Sequence, residues 1–511
     1  MTLGEILLEN DTHNPARLAI LYKSSNDCYT YGELNARVNR LSHALTDSGV
    51  RKGDRVAVVL HNCPQYIESF FACMKIGAVL TAIDFRITPQ DLRYLLADSQ
   101  ANTLLIGEKY LGLISGSRCE LGSVKNLVCI GNAIGNIQSY EELIAQRSST
   151  NPGISVSEDD LATLYYTSGT TGRPKGVPMT HRNLYAAMTN MLEALPISSY
   201  DVTLHTSPFS HIASIWPLLA HCYVGGTNVT VHTSDPEAVL DTIETTSVTT
   251  WNTVPTMIRR IVEYPGLPSY DLGSLHWIGY GASPMPLELL KKAILSLGNI
   301  FVQVYGSTET YIATILPKED HILDGTENQE RRLKSCGKPL AGIELRVVNE
   351  QNRDIVPGEK GEIIIKGDSI TDGYWRLPDE TANRIKQGWF YTGDLATVDE
   401  DGYIYVIDRK RDIIISGGEN ISPKEVEEVI YRHPSVFEVA VIGVPDEEWG
   451  EAVKAIVVLR ERKTAAEEQI ISFCKDNLAR FKAPKSVDLV SSLPKTSSGK
   501  ISKKEIKERY I

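Results

Sequence analysis

A run of small, hydroxyl-bearing and basic residues at 165–176 is the stretch of this sequence best suited to hold phosphate. Its three glycines lack a Cβ, so backbone N–H groups can turn toward an anion, and four hydroxyl side chains add donors. Arg173 and Lys175 add positive charge. Because the preceding apolar residues 161–166 predict a buried strand, the run is interpreted as a phosphate-binding loop at a strand end.

The spacing within this loop differs from that of the common nucleotide loop. That loop has the pattern G-x-x-x-x-G-K-S/T, in which the hydroxyl after the lysine binds Mg²⁺. Here Lys175 lies three residues beyond Gly172 and is followed by Gly176. The pattern therefore disfavours a kinase or GTPase of the P-loop class.

Four further motifs follow in order along the chain. They are Gln-Val-Tyr-Gly-Ser-Thr-Glu at 303–309, Gly-Trp-Phe-Tyr-Thr-Gly-Asp at 388–394, Asp-Arg-Lys-Arg-Asp at 408–412 and Pro-Lys-Thr-Ser-Ser-Gly-Lys-Ile at 494–501. With the phosphate loop, they resemble the motifs of the adenylate-forming superfamily, which contains acyl-CoA synthetases, peptide-synthetase adenylation domains and beetle luciferases. The resemblance extends from 31–34 to the last motif, which is nearly the whole chain.

The resemblance implies a two-step reaction on a carboxylic acid. A carboxylate is a poor electrophile at neutral pH, so the acid first attacks the α-phosphate of ATP and forms acyl-AMP and pyrophosphate. A thiol then displaces AMP. The protein must stabilise the charge that builds up at phosphorus, and ATP, Mg²⁺ and coenzyme A are the implied cofactors.

The same resemblance assigns residues to the triphosphate. The implied loop residues are Thr167, Ser168, Gly169, Thr170, Thr171, Gly172 and Lys175. Glu309 is implied to bind Mg²⁺, since a hard cation takes carboxylate and phosphate oxygens. Its neighbour Thr308 is implied to contact the α-phosphate.

Adenine and ribose are assigned to four other segments. Tyr305, beside Gly306, is implied to stack on adenine. The turn opposite it consists of Gly281, Ala282 and Ser283. Asp394 is implied to accept both ribose hydroxyls, which an ionised carboxylate can do. Arg409 is implied to contact ribose or phosphate.

Lys500 is implied to enter the site only during adenylation, where it bridges the substrate carboxylate and ATP. Its loss should therefore affect the first step selectively. For the second step the family rotates its C-terminal domain about a hinge, here Arg411, where relatives more often have Asp or Lys and where the planar guanidinium is not equivalent to an ammonium group. Gly417 and Gly418 resemble the segment along which the pantetheine chain of coenzyme A passes.

The segment 207–213 bears on the acid. Peptide-synthetase domains carry an aspartate there to pair with the substrate ammonium, and this chain has none. His211, counted with Lys500, Glu309 and Thr308 among the catalytic residues, instead matches the gate of acyl- and aryl-CoA synthetases. The implied acyl pocket comprises His211, Ile212, Tyr280, Val304, Gly306, Tyr311 and Ile312. Its bulky groups favour a medium-chain fatty acid or an aryl acid.

Three alternatives stay open at this point. An acyl-AMP ligase that loads a carrier protein would keep the nucleotide motifs, as would a luciferase-like oxidase. A nucleotide-binding scaffold without activity would be expected to lack Lys500 or Glu309, and both are present.

Composition limits the partners. With 511 residues of which 42% are hydrophobic, the chain should form more than one domain. The net charge of −12 argues against nucleic acid, and no apolar run reaches the length of a membrane span. Eight scattered cysteines without a C-x-x-C pair predict neither zinc nor disulfides. The expected protein is a cytoplasmic monomer or homodimer that acts on a small carboxylic acid, ATP and coenzyme A.

The elements that position these motifs follow from apolar patterning. Residues 54–60, 65–76 and 77–83 predict strand, helix and strand, and this alternation recurs, so the body is α/β with largely parallel sheets. Closely spaced short strands after about residue 340 predict a β-rich subdomain. We therefore expect an N-terminal domain at 1–408 and a small, mobile α+β domain at 409–511, with the charged run at 408–412 as a solvated connector.

Overall fold

The computed structural model describes residues 1–114, 121–133, 135, 137–167, 173–233, 235–461, 463–496 and 500–510. The strands are β1 (Leu18–Tyr22), β2 (Asp27–Thr30), β3 (Arg55–Val59), β4 (Val79–Ala82), β5 (Thr103–Gly107), β6 (Asn126–Ile130), β7 (Gln138–Ser139), β8 (Leu161–Thr167), β9 (Lys175–Thr180), β10 (Val202–His205), β11 (Thr227–Thr230), β12 (Thr250–Thr253), β13 (Trp277–Tyr280), β14 (Phe301–Ser307), β15 (Tyr311–Leu316), β16 (Lys338–Pro339), β17 (Glu344–Val348), β18 (Gly361–Lys366), β19 (Ile385–Lys386), β20 (Trp389–Val398), β21 (Ile404–Arg409), β22 (Ile414–Ser416), β23 (Glu419–Ile421), β24 (Val436–Asp446), β25 (Gly450–Leu459) and β26 (Ser486–Leu489). The α-helices are α1 (Glu5–His13), α2 (Tyr31–Asp47), α3 (Pro64–Ile76), α4 (Pro89–Ser99), α5 (Tyr140–Ala145), α6 (His181–Ala194), α7 (Ile215–Val224), α8 (Pro236–Thr245), α9 (Pro255–Val262), α10 (Leu287–Leu297), α11 (Glu327–Arg332), α12 (Pro378–Arg384), α13 (Pro423–Tyr431), α14 (Glu467–Asn477) and α15 (Lys503–Tyr510).

The predicted strand, helix and strand between residues 54 and 83 are confirmed as β3, α3 and β4. Pro64 stands in the first turn of α3, and the helix ends at Gly77 in the left-handed conformation with φ of 66°. The two strands belong to a seven-stranded sheet of order β7-β6-β5-β3-β4-β8-β9. Its pairs are parallel except for the hairpin of β8 and β9.

A nine-stranded sheet has the order β16-β15-β14-β13-β12-β10-β11-β1-β2. Its centre is parallel and its edges are antiparallel. One buried cluster contains side chains of both large sheets, among them Leu80 and Val302. A second cluster contains Trp251, Ile278 and Phe301 together with residues of α8, α9 and α10. The nine-stranded sheet is therefore apolar on both faces, as parallel sheets covered by helices are.

The β-rich region predicted after residue 340 is confirmed as an antiparallel sheet of β17 to β21. The prediction that residues 408–412 form a solvated connector is wrong for Asp408, the first of them. Asp408 lies on β21 and is buried, and its Oδ2 accepts hydrogen bonds from Ser422 Oγ at 2.8 Å and Lys424 N at 3.0 Å. The carboxylate thus anchors the start of α13, a role that the charge pattern did not reveal.

The C-terminal elements pair the antiparallel strands β22 to β25 with β26, which is parallel to β25. Apolar residues of α13, α14 and the strands form one buried cluster, so the α+β character is confirmed. The division at residues 408 and 409 and the mobility of the C-terminal unit stay predictions.

Loops that follow the carboxyl ends of parallel strands meet at one edge of each large sheet, which is where α/β proteins bind ligands. The motif residues 281–283 and 306–309 follow β13 or end β14 at this edge. In the part of the chain that the structure describes, no helix is both long and apolar enough to cross a lipid bilayer.

Candidate functional site

The phosphate loop begins and ends on a hairpin. Thr167, which ends β8, pairs with Lys175, which begins β9. The loop residues Ser168, Gly169, Thr170, Thr171 and Gly172 lie outside the described residues. Lys175 is nearly buried, and its Nζ lies 2.7 Å from Glu380 Oε2 and 5.5 Å from the ring centroid of Tyr374. The lysine is therefore held at the loop's base by an acidic and an aromatic side chain.

Tyr374 joins the phosphate loop to the second motif. Its hydroxyl donates a hydrogen bond of 2.8 Å to Glu309 Oε1. Thr308 and Glu309 lie in the tight turn between β14 and β15, which is closed by a 3.0 Å hydrogen bond from Ser307 N to Thr310 Oγ1. Burial and the nearby glutamate raise the pKa of Tyr374, so its hydroxyl stays protonated and fixes one carboxylate oxygen. This contact orients the carboxylate that the second motif assigns to Mg²⁺.

Asp394 is buried at the centre of a second cluster. Tyr305 OH donates to its Oδ2 at 2.7 Å, and Arg409 Nε lies 3.2 Å from its Oδ1. Asp394 on β20 lies directly opposite Arg409 on the antiparallel strand β21. Burial opposes the charge of Arg409, but Asp394 and two other carboxylates outweigh it and raise the pKa of the arginine. Each carboxylate oxygen of Asp394 is thus oriented by a different side chain. The hydroxyl of Tyr305 contacts Asp394, while its ring is the part that the motif assigns to adenine.

Lys500 lies among charged groups from distant parts of the chain. Its carbonyl oxygen accepts a hydrogen bond of 2.7 Å from Thr496 N. Burial and the charge of Arg409 lower the pKa of Lys500 to about 8, against the opposing effects of Asp394 and Glu309. The charges of Arg409, Asp394 and Glu309 therefore all act on Lys500, and the roles that the motifs assign to these residues stay predictions.

Two arginine contacts join the C-terminal elements to α9 and hold this arrangement. The guanidinium of Arg259 lies 5.3 Å from the ring centroid of Tyr431 and 5.5 Å from that of Phe437, and its Nη1 donates to the carbonyl of Phe437 at 2.6 Å. Arg460 Nη1 pairs with Glu263 Oε1 at 2.9 Å. Arg259 is itself buried, so the first contact is well shielded from water.

The turn after β13 packs closely against β14. Its residues are Gly281, Ala282 and Ser283. A Cβ at Gly281 would lie 2.4 Å from the carbonyl oxygen of Val304, and a Cβ at Gly306 would lie 1.6 Å from that of Tyr311. Ala282 and Tyr311 have positive φ values of 66° and 56°. Such backbone conformations are costly for residues with a side chain and often occur at ligand sites.

His211 is held by an aspartate that the motifs did not indicate. Its Nε2 lies 3.4 Å from Asp84 Oδ2, within ion-pair range but not aligned as a hydrogen bond. Arg86 binds the same carboxylate through Nε at 2.9 Å and Nη2 at 2.8 Å, and Ser210 Oγ donates to it at 3.3 Å. Burial alone would raise the pKa of Asp84, but His211 and Arg86 lower it to about 2. Asp84 follows β4, a strand without any motif.

Four residues of the predicted acyl pocket share the buried layer between the two large sheets. They are Ile212, Val304, Tyr311 and Ile312. The assignment of Tyr280 to this pocket is wrong. Its side chain lies on the other face of the sheet, where its hydroxyl contacts His321 Nε2 at 2.9 Å and its ring packs on Phe301. Successive side chains on a strand alternate between faces, and Gly279, not Tyr280, faces the pocket.

The two glycines assigned to coenzyme A form the turn between β22 and β23. Gly417 and Gly418 have φ values of 59° and 83°, which suits a two-residue hairpin. A Cβ at Gly417 would lie 2.6 Å from the ring of Trp449, so the turn packs within the C-terminal unit.

Arg411 lines a cavity of about 290 Å³ beside Asp394. The lining also includes Arg384, Tyr391, Arg409 and Lys410, and Glu362 is the acidic member. Burial and Arg409 lower the pKa of Arg411. The cavity is strongly basic and suits an anionic ligand. Because Arg411, the predicted hinge residue, lines this cavity, its guanidinium could contact an anion bound there.

Sequence reasoning missed Tyr374, Glu380 and Asp84. Tyr374 and Glu380 lie between the motifs at 303–309 and 388–394. In that position a tyrosine is typical of core packing, and a glutamate is typical of the exposed first turn of a helix. The aromatic pair of Tyr374 and Trp375 was the available signal, since large aromatic side chains in a polar segment often have partners. As a whole, the site can bind a sugar through Asp394 and a polyanion with a divalent cation through Lys175, Glu309 and Lys500.

Comparison with known proteins gives two family matches. Residues 7–375 match the model of the AMP-binding enzyme family, and residues 425–500 match the model of the AMP-binding enzyme C-terminal domain. Glu309 lies in the first matched region and Lys500 in the second.

Individual relatives cover almost the whole chain. A feruloyl-CoA synthase from Amycolatopsis is 37% identical over 482 residues, 94% of each chain. The long-chain fatty acid–CoA ligase FadD13 of Mycobacterium tuberculosis is 32% identical and covers 99% of this chain and 98% of its own. The crystal structure of ATP-bound MatB from Rhodopseudomonas palustris superposes with a TM-score of 0.90 at 29% identity, covering 100% of this chain and 99% of that one.

Proposed function

The chain belongs to the AMP-binding enzyme family, and on that premise we propose which of its residues carry the reaction and which acid it takes. The enzyme is an AMP-forming acid–CoA ligase that uses ATP and coenzyme A. The proposed acid is a medium-chain fatty or aryl acid. One observation supports the residue assignment: Asp394 contacts Tyr305 at 2.7 Å and Arg409 at 3.2 Å, although the three residues are far apart in the sequence, and the charges of Asp394 and Arg409 act on Lys500.

In the first step the acid's carboxylate attacks the α-phosphate of ATP and pyrophosphate leaves. Lys500 neutralises the charge that develops on the oxygens around phosphorus, and Thr308 donates to the α-phosphate. Lys175 holds the outer phosphates once it leaves Glu380, with Thr167, Ser168, Thr170 and Thr171. A Mg²⁺ ion would be held by Glu309 and would neutralise phosphate charge.

The nucleoside is bound by the second cluster. Asp394 accepts the ribose hydroxyls, and its orientation by Tyr305 and Arg409 is already set in the structure. Adenine lies between the ring of Tyr305 and the turn at Gly281, Ala282 and Ser283. Gly306 lets β14 and β15 pack closely beside Tyr305, because a Cβ there would lie 1.6 Å from the carbonyl oxygen of Tyr311.

In the second step the thiolate of coenzyme A attacks the acyl carbonyl and AMP leaves. We propose that the C-terminal unit turns about Arg411, which withdraws Lys500 and brings Gly417 and Gly418 to the pantetheine chain. Because the contacts of Arg259 and Arg460 hold the first arrangement, they must break for this turn. His211, held by Asp84, gates the acyl pocket.

The proposal extends to the setting of the enzyme. The cysteines that the structure describes are unpaired thiols, most of them buried, which suits a reducing compartment. We propose a cytoplasmic enzyme that acts as a monomer or homodimer. Its net charge of −12 makes nucleic acid an unsuitable partner.

A panel of acids tests the function. The protein is incubated with ATP, Mg²⁺, coenzyme A and aliphatic acids of two to sixteen carbons or aryl acids, and AMP and acyl-CoA are measured by mass spectrometry. We expect acyl-CoA and AMP in equal amounts from aryl or medium-chain acids. AMP-linked acid without thioester would indicate a carrier-protein acceptor, and the absence of AMP with every acid would contradict the proposal.

The rate of adenylation is expected to fall as the pH rises through about 8. The pKa of Lys500 is lowered to about 8, so its ammonium charge is present below that pH and lost above it. An ordinary lysine would stay charged to about pH 10. The measurement is kcat/KM for ATP in pyrophosphate release without coenzyme A, because this ratio reports groups of the free enzyme.

Lys500→Arg is the matched control for this profile. Its guanidinium keeps its charge over the whole range, so the remaining activity should no longer fall near pH 8. If the arginine variant showed the same decline as the unaltered enzyme, another group would be responsible.

A further inference from the structure

The cavity of about 290 Å³ beside Asp394 has more positive than negative charge in its wall. Its basic lining residues are Arg384, Lys386, Arg409, Lys410 and Arg411. Among the residues that the structure describes, Glu362 is the one carboxylate that lines it. A concave surface with such an excess of one charge attracts ions of the opposite sign.

Three of the five cations share carboxylates in or near the cavity wall. Their pairs are Arg409 with Asp394 at 3.2 Å, Lys410 with Glu362 at 3.6 Å and Arg411 with Asp412 at 3.9 Å. The last distance is at the limit of an ion pair, and Asp412 also lies 3.8 Å from Lys507. Burial and the charges of Arg409 and Arg384 lower the pKa of Arg411, so its positive charge is only partly compensated.

The other two cations, Arg384 and Lys386, form no ion pair with a carboxylate of the described residues. Arg384 Nη1 donates to the carbonyl of Tyr391 at 3.1 Å, and Lys386 Nζ lies 5.1 Å from the ring centroid of Tyr391. Because a guanidinium has five N–H donors, most of those of Arg384 remain available to a ligand. A Cβ at Gly393 would lie 2.8 Å from Arg384 Nη1, so the glycine makes room for the guanidinium.

This cavity differs from the site proposed for the triphosphate of ATP. Lys175, Glu309 and Tyr374, which surround that site, are not among its lining residues. Its volume is at the lower end of the range for ligand pockets, which favours a small ligand. Guanidinium groups bind phosphate oxygens through two parallel N–H donors, and lysines add charge. A phosphate group fits both the size and the charge of the cavity.

We propose that this cavity is a regulatory site for a small phosphate dianion, either free phosphate or a phosphomonoester, and that the bound anion holds the predicted hinge in its present arrangement. Arg384 and Lys386 belong to α12 and β19, which precede β20 in the β-rich region. Lys410 and Arg411 begin the connector between β21 and β22. An anion bound between these two groups would link the β-rich sheet to the connector. The effect on the hinge rests on the proposed function, whereas the binding does not.

Calorimetry with the full chain tests the binding. Inorganic phosphate and glycerol 3-phosphate are titrated without nucleotide, against sodium chloride of the same ionic strength, because salt screens exposed charges. We expect at least one of the two anions to bind, and the tighter one distinguishes free phosphate from a phosphomonoester as the source. The absence of binding by both anions would overturn the inference.

Variants assign the binding to this cavity. Lys386→Gln and Arg384→Gln should each weaken it by about 10-fold, the effect of losing one hydrogen bond to a charged group. Lys366→Gln is the matched control, since Lys366 is half exposed on β18 and does not line the cavity. Lys175→Ala should also leave the binding unchanged. Binding that is lost in Lys175→Ala but kept in both cavity variants would place the anion at the phosphate loop and overturn the inference.

The rate of the second step tests the effect on the hinge. Acyl-CoA formation from preformed acyl-adenylate and coenzyme A is measured with and without the tighter-binding anion. An anion that binds only one arrangement shifts the equilibrium by one plus the ratio of its concentration to its dissociation constant, so a tenfold excess over that constant should slow this step by about 10-fold. Binding without slowing would overturn the regulatory role.

The cavity variants complete this experiment. Lys386→Gln should keep the rate measured without the anion and show little slowing at the same anion concentration, because Lys386 is exposed and has no assigned role in the reaction. Arg384→Gln gives a second test, and thermal melting reports the folding of each variant. Slowing that is equal in the unaltered enzyme and in both variants would overturn the inference. Failure of the proposed function itself would look different, because no acyl-CoA would then form even without the anion.

Discussion

Replacing Lys500 by alanine is expected to reduce the rate of acyl-adenylate formation by about 100- to 1,000-fold, the range found when one transition-state donor is removed. The second step should be nearly unchanged when preformed acyl-adenylate and coenzyme A are supplied. The reason is positional. Lys500 is half-buried and lies within electrostatic reach of Arg409, Asp394 and Glu309, and we propose that its positive charge there meets the oxygens around phosphorus.

The two steps can be measured separately with this variant. Pyrophosphate release with acid and ATP reports the first step, and acyl-CoA formation from synthetic acyl-adenylate reports the second. Lys504→Ala is the control, since Lys504 lies half exposed on α15 and pairs with Glu508 at 3.7 Å. It should leave both rates unchanged. An equal loss in both steps of Lys500→Ala would mean that the lysine supports folding or binding in general.

Much of the fold could be predicted from patterning because each element is a local signal. Apolar runs and turns predict the strands and helix within 54–83 and the strands after 340, and the structure has them there. The motif positions could be predicted for a related reason. Thr167 and Lys175 stand at the facing ends of two paired strands, which is where the sequence places the two ends of the phosphate loop.

The errors and omissions concern contacts between distant segments. Asp84 comes from the strand end of one sheet and holds His211, which follows a strand of the other sheet, and no local pattern connects them. Asp408 belongs to a run of five charges, but its carboxylate is buried under the start of α13. A charge pattern alone cannot show which member of a run turns inward.

The direction in which a strand residue points was the other missing information. Tyr280 stands beside the turn that packs on β14, so its position in the sequence suggested the acyl pocket. The strand's alternation places it on the opposite face, against His321 and Phe301. The face of β13 could not be assigned beforehand, because both faces of the nine-stranded sheet are apolar.

Gly306→Ala is expected to abolish adenylation almost completely, by at least about 100-fold, because a displacement of about 1 Å in an active site costs that much. A Cβ at this position would lie 1.6 Å from the carbonyl oxygen of Tyr311. The clash is with backbone, so no side-chain rotation relieves it and β14 must separate from β15. Tyr305 and Glu309 lie on either side of Gly306, and both would move.

Stability should fall less than activity. Overpacking in a folded interior costs about 1–3 kcal/mol in the free energy of unfolding, and a chain with several buried clusters can tolerate that loss. The measurements are pyrophosphate release, ATP binding by calorimetry and thermal melting. Gly112→Ala is the matched control, because no described atom lies within 4 Å of a Cβ built at Gly112 and its φ is not positive. A Gly306→Ala protein with full adenylation activity would show that β14 and β15 can separate without moving the nucleotide site, and the roles assigned to Tyr305 and Glu309 would then have to be withdrawn.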